Sequence, residues 1–271
     1  VVTAAFEIVD LEEYTESVNM LVYGDSGSGK TVLAGTAPRA LFLATEKGVI
    51  AAKRQGSTAK LHLCQSWQDI ENAYVFLRDN PDDFDWVIID SLTEFQQHLL
   101  RMILDRNVEE NPNRDPDIPA IQDHQKWQNM YKRYVRQFND LPVNMLYTAT
   151  AFRKSDEEGE DLILPDILGK DYGMSQWTCA AMHVVGYLSK RKVKRGEEKI
   201  EVRRLLCERT GPYFGKDRYD VLVPYVQEPT MPEIIRRIGQ PPKSAAKKAT
   251  TTVRRPARKA PAKKAAARRA S

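Results

Sequence analysis

Apolar runs of strand length alternate with longer amphipathic stretches along the chain. "NMLVYG" (19–24), "ALFLAT" (40–45), "WVIID" (86–90) and "VNMLYTAT" (143–150) are almost continuously apolar, the pattern of strands covered on both faces. Between them, "WQDIENAYVFLRD" (67–79) and "IQDHQKWQNMYKRYVRQFND" (121–140) carry apolar residues three and four apart, which predicts helices with one face on a core. "DRNVEENPNRDPDIP" (105–119) is rich in Pro, Asn and Asp and predicts a loop. Later, "HVVGYLSKRKV" (183–193) and "EKIEVRRLLCER" (198–209), joined through "KRGEE", read as an antiparallel hairpin closing the sheet. Strand alternating with helix predicts an α/β fold with a mostly parallel central sheet flanked by helices.

Length and composition add one domain and one tail. At 271 residues, 42% hydrophobic and 29% charged, the chain can bury one sizeable core, expected over residues 17–240 behind an N-terminal segment, 1–16. Residues 242–271 carry eleven Lys or Arg and no acid, so the overall net charge of +4 leaves −7 on the body. The stretch 241–271 has no aromatic residue and a single Val, too little apolar surface to offset the entropy of ordering, and is expected to be disordered. Its basic pairs among Ala and Pro resemble the tails of linker histones and bacterial nucleoid proteins. Arg254, Arg255, Arg258, Lys259, Lys263, Lys264, Arg268 and Arg269 are candidate phosphate-backbone contacts; a solubilising extension is the alternative.

Other classes recede. Cys64, Cys179 and Cys207 are far apart with no C-x-x-C pair, so neither a zinc site nor a disulfide framework is expected, and a reducing cytoplasm fits. No apolar run approaches the roughly 18 residues of a membrane span, and the start is acidic rather than signal-like.

The strongest motif is "GDSGSGKT" (24–31), which fits G-x-x-x-x-G-K-[ST] directly after a strand and before a helix. In this phosphate loop, Gly24, Asp25, Ser26, Gly27, Ser28, Gly29, Lys30 and Thr31 are the candidate nucleotide contacts. Gly27 and Gly29 let the backbone N–H groups turn inward around phosphates. Lys30 supplies a charge at the β and γ phosphates, and Thr31 offers a hydroxyl to Mg2+. "WVIIDS" adds Asp90 at a strand end as the second metal anchor; alone it would read as a helix N-cap.

Hydrolysis also needs a group to orient or deprotonate water. The residue after Asp90 is Ser91, not Glu, which disfavours ATPases carrying Asp-Glu there, typical ring-forming remodellers and transporter motors among them. Asp90-Ser91-Leu92-Thr93 also lacks the glycine of a D-x-x-G switch. Glu46, in "LFLATEKG" (41–48) at the C-terminal end of its strand, then stands at the sheet edge where α/β proteins bind ligands.

"VYGDSGSGKT", "LFLATEKG" and "WVIIDS" together resemble the RecA-like recombinase ATPases, and most of all the small phage-encoded, single-domain members that anneal single-stranded DNA. The likeness runs over roughly residues 17–228. It implies a RecA-like P-loop core with ATP and Mg2+ as cofactors, Glu46 as the catalytic carboxylate acting with Lys30, and Thr31 and Asp90 on the metal. It implies a γ-phosphate sensor at Thr148 or Thr150, on a strand ending where relatives often carry Gln or His. "GPYFGKDRYD" (211–220) resembles the segment that reaches a neighbouring subunit's nucleotide, which would make Lys216 and Arg218 trans-acting; an ordinary basic surface turn is the alternative.

The resemblance places DNA contacts in loops after the metal and sensor strands. The second of these, "AFRKSDEEGEDL" (151–162), is mostly acidic, with only Arg153 and Lys154 suited to phosphate, so the tail is expected to carry much of the affinity. The implied protein is a DNA-dependent ATPase that binds single-stranded DNA, forms a homo-oligomeric ring or filament, cooperates with a single-stranded-DNA-binding protein, and works in a host bacterial cytoplasm with no membrane partner. The alternative is a nucleotide-binding accessory ATPase of replication or packaging, such as a helicase loader, tethered by its tail.

Overall fold

The computed structural model describes residues 16–239 apart from 156–160, 170, 171, 196 and 197, together with Asp10 and Tyr14. The chain order is β1 (Asn19–Gly24), α1 (Lys30–Ala34), β2 (Ala40–Ala44), α2 (Ile50–Arg54), β3 (Lys60–Leu63), α3 (Trp67–Asp79), β4 (Trp86–Asp90), α4 (Leu92–Glu110) and α5 (Ile121–Asn139). It continues with β5 (Asn144–Ser155), β6 (Asp161–Pro165), α6 (Gly173–Ala180), β7 (Val184–Arg195), β8 (Glu198–Leu206), β9 (Lys216–Asp217), β10 (Tyr225–Gln227) and α7 (Met231–Ile238).

The strands join in the order β10-β8-β7-β1-β5-β4-β2-β3, with β6 on β5 and β9 on β7. From β7 to β3 every neighbour along this path is parallel, and β8, β10, β6 and β9 add antiparallel. This is the mixed, mostly parallel α/β sheet expected. All six residues of β1 are buried, because each face is covered. Leu21 and Tyr23 face a core with Trp67, Phe95, Trp127, Tyr131 and Phe138 from α3, α4 and α5. Met20 and Val22 face a second core with Leu33 of α1, Ala52 of α2 and Ile234 of α7.

Two sequence expectations need correction. The stretch 105–119 is a loop only from residue 111, since α4 continues to Glu110. Its inward residues Phe95, Leu99 and Ile103 are fully buried, and Asn107 donates to Asp123 Oδ1 at 2.7 Å, so tertiary partners hold a polar last turn helical. Pro112 disfavours helical geometry at Asn111 and stops it. Residues 151–155, 161 and 162 are likewise strand rather than loop: β5 runs on to Ser155 and pairs with β6 from Ala151↔Pro165 to Ser155↔Asp161. Ile163 and Leu164 reach the core, and Tyr23 donates to Ile163 O at 3.0 Å, which anchors this hairpin to the central strand. The hairpin of β7 and β8 is antiparallel over nine pairs.

The cysteines Cys64, Cys179 and Cys207 are free and buried. Among the described residues no helix is long and apolar enough to cross a membrane.

Candidate active site

Strand order creates the site. Because β5 lies between β1 and β4, the ends of β1, β5, β4 and β2 line one edge, with Gly24 beside Thr150 and Ala44 beside Asp90. The phosphate loop leaves β1 there. Gly27 and Gly29 have φ of 75° and 101°, a region that side-chain-bearing residues disfavour. Ser28 N closes a turn onto Asp25 O at 3.1 Å, and Ser28 Oγ is buried without a hydrogen-bond partner among the described residues. Asp25 accepts from Tyr187 at 3.5 Å, and both Asp25 and Ser26 are exposed. Lys30 Nζ folds onto the loop, donating to Gly24 O at 2.8 Å and Asp25 O at 3.0 Å. Burial lowers its pKa, against the opposing pull of Asp90, Glu46 and Asp25.

Asp90 is the polar centre. Thr31 Oγ1 donates to its Oδ2 at 2.9 Å, and the fully buried Thr148 donates to its Oδ1. The two candidate metal residues, Thr31 and Asp90, are thus in direct contact. Thr148 reaches this edge through Asp90, whereas the Thr150 backbone is tied to Thr93 Oγ1 at 3.1 Å and to Asp166 N at 2.8 Å. Burial raises the Asp90 pKa from the ordinary 3.8, more than its hydrogen bonds with Thr148 and Thr31 and the charge of Lys30 lower it. The folded state therefore holds that proton more tightly than the unfolded chain. The associated stability is present below the unfolded pKa and is lost as pH rises through the folded one. At neutral pH, Asp90→Asn is expected to raise Tm by roughly 2–4 °C per kcal/mol relieved while weakening nucleotide binding in Mg2+; calorimetry paired with nucleotide titration checks both.

Glu46 lies two residues beyond the end of β2. Thr45 locks this crossing, with its N–H on Asp90 O at 3.0 Å and its hydroxyl bonded to both Ser91 N and Ser91 O at 2.9 Å. The Glu46 pKa is raised by burial first and then by the negative charge of Asp90, with Ser91 hydrogen bonding and Lys30 opposing. A cavity of about 610 Å³ between α2 and β3 is lined by Glu46 together with Phe42, Val49, Leu61 and Leu63, and not by Lys30, Thr31 or Asp90.

Arg203 joins the site without having been singled out in the sequence. Its Nε lies 2.5 Å from where a Gly29 Cβ would stand and is buried without a hydrogen-bond partner among the described residues. Glu228 fixes it from both sides, its carboxylate accepting from Arg203 N at 2.7 Å and its N–H donating to Arg203 O at 2.8 Å. Nothing local in "VRRLL" marks this residue, because only the pairing of β8 with β7 brings it to the loop. The positive φ at Gly27 and Gly29, the orphaned Ser28 Oγ and Arg203 Nε, and a threonine paired with an aspartate form a donor set that fits a nucleotide triphosphate with Mg2+.

The remaining candidates lie elsewhere. β9 pairs with Val184 and Val185, which align with the start of β1, so Lys216 and Arg218 occupy the opposite end of the sheet. Lys216 does not stand free beside Arg218: its Nζ caps α6, donating to Cys179 O at 3.3 Å and Ala180 O at 3.0 Å. The helix C-terminus draws the cation inward. Arg218 is exposed. Arg153 and Lys154 are consecutive on β5 and so point to opposite faces. Arg153 is 4.0 Å from Asp161, and Lys154 lies 4.5 Å from the Tyr172 ring centroid. The eight tail cations from Arg254 to Arg269 lie outside the described residues.

A family model described as an AAA domain matches residues 16–219. Comparison with curated proteins gave no match.

Proposed function

The chain belongs to the AAA domain family, a P-loop nucleotide-binding ATPase fold, and from that premise we propose a RecA-like ATPase that hydrolyses ATP with Mg2+, binds single-stranded DNA and promotes annealing or pairing. The observation that carries the hydrolytic reading is that Thr45, the residue before Glu46, is tied to Asp90 O and to Ser91, which holds Glu46 at the edge where Lys30 and Thr31 begin α1.

In this mechanism the loop N–H groups and Lys30 hold the β and γ phosphates, and Lys30 exchanges its contacts with Gly24 O and Asp25 O for phosphate oxygens. Thr31 and Asp90 would hold Mg2+, which when bound neutralises charge on the β and γ oxygens. Glu46 accepts the proton of a water whose oxygen attacks the γ phosphorus. The bond to the β–γ bridging oxygen breaks, and its electron pair leaves on ADP. A carboxylate with a raised pKa is a better base than a solvated glutamate. Thr148, bonded to Asp90, positions that acid and so acts on the phosphate indirectly. Arg203 places a cation beside Gly29 from within the same chain.

The DNA reading rests on the sequence of the tail, eleven cations and no acid over residues 242–271. Several copies along one strand would share the load, with Arg218 as the exposed cation toward a neighbour. The test is ATP turnover with and without single-stranded DNA, together with annealing of complementary strands. Stimulation by DNA with annealing supports the proposal; stimulation only by a protein partner points to a tethered accessory ATPase. Deleting residues 242–271 is expected to weaken single-strand binding and flatten its salt slope, and an unchanged slope would contradict the role of the tail.

A further inference from the structure

β1 ends at the phosphate loop, but its neighbour β7 does not stop there. β7 pairs with β1 only as far as Tyr187↔Tyr23, and β10 covers β8 only over Arg204 to Leu206. From Ser189 to Arg195 and from Glu198 to Arg203, the two strands pair only with each other among the described residues, as a ribbon running past the nucleotide edge. Side chains alternate across it. One face carries three successive rungs, Lys190↔Arg203, Lys192↔Glu201 and Lys194↔Lys199, which is five cations and one acid.

This face is costly in isolation. Two of its rungs set cation opposite cation, an arrangement that destabilises an antiparallel pair. One bridge, Lys190 to Glu201 at 3.3 Å, relieves part of it, whereas Lys192, although opposite Glu201, and Lys194 and Lys199 make no ion pair among the described residues, and all three are exposed. The base of the ladder, Arg203, packs on Gly29, so the cationic row begins at the phosphate loop and leads away from it.

We infer that this face of the β7–β8 ribbon is a nucleic-acid track, on which Lys192, Lys194 and Lys199 contact backbone phosphates of a single strand. The inference rests on the proposed DNA function and adds a location in the folded body. Same-face residues along a strand are about 6.8 Å apart, so Lys192 and the opposed pair Lys194 and Lys199 stand one such step apart along the track. No aromatic or aliphatic side chain lies on these rungs, so the face lacks the wedge that an interfacial membrane segment inserts. Laying a polyanion on it removes the cation–cation repulsion.

The test compares the full wild-type chain with Lys192→Gln/Lys194→Gln/Lys199→Gln in binding to a fluorescent oligo-dT over a salt series. Each lost phosphate contact lowers the log–log salt slope by about 0.7 for a single strand, so the expected loss for three is about 2. The triple Lys→Arg variant keeps the wild-type slope, and ATP turnover without DNA is unchanged in both. Binding by wild type with the same slope in the Gln variant overturns the track alone. No binding by wild type overturns the track and the DNA function together. Loss of binding to phosphatidylserine vesicles with DNA binding intact, or a changed sedimentation size with the DNA slope intact, also overturns it, in favour of a membrane or a second copy of the chain.

Discussion

Glu46→Gln is expected to lower ATP turnover by about 10²–10⁴-fold, the usual contribution of a positioned general base, with nucleotide affinity nearly unchanged. The separation of the two effects is the informative part. Glu46 sits beyond the end of β2 rather than in the phosphate loop, so the amide leaves Lys30 and Thr31 in place but cannot accept the water's proton. A pH profile gives a second check. Burial, and then the charge of Asp90, raises the Glu46 pKa, so the base protonates at a higher pH than a solvated glutamate. The wild-type rate is expected to fall with decreasing pH from above the ordinary glutamate range, and the residual rate of the Gln variant to lack that limb. Wild-type turnover in the variant would return Glu46 to a solvated strand end.

Lys30→Ala is expected to cost about 2–5 kcal/mol of nucleotide binding, the range for truncating one member of a buried, hydrogen-bonded charge pair. Titration with a fluorescent ATP analogue reads it as a loss of about 30-fold or more. Lys30 is partly buried, and burial lowers its pKa, so the protein holds this cation against a desolvation cost that a phosphate would offset. Lys30→Arg is not expected to rescue binding, since a planar guanidinium cannot replace a compact ammonium inside a loop closed around it. Affinity within twofold of wild type in the Ala variant would remove the loop from phosphate binding.

Membership of the AAA domain family does not change the local chemistry after β4, where Ser91 stands in place of a glutamate. Ser91 instead caps α4, its Oγ accepting from Glu94 N at 3.4 Å, and exchanges two bonds with Thr45. The residue that lacks a catalytic group is therefore the one that fastens the Glu46 turn to the end of β4.

Much of this was determined by the sequence alone. β1, β2, β4 and the first half of β5 were legible because strands buried on both faces need unbroken apolar runs, and α3 and α5 because a helix on a core repeats every three to four residues. The phosphate loop was legible because its chemistry requires glycine, lysine and threonine at fixed spacing. α4 was not resolved, since Asp105, Arg106, Asn107 and Glu109 read as loop until Asn107 is seen bonded to Asp123. The outer half of β5 was hidden likewise, because "RKS" becomes strand only by pairing with β6. What only the tertiary structure decided is who meets whom: β5 between β1 and β4 sets Thr148 on Asp90, Lys216 turns onto the end of α6, and Arg203 arrives at Gly29 from 174 residues away in the chain. Periodicity reports which side of an element faces water; strand order and register depend on contacts between residues far apart, and no local pattern encodes them.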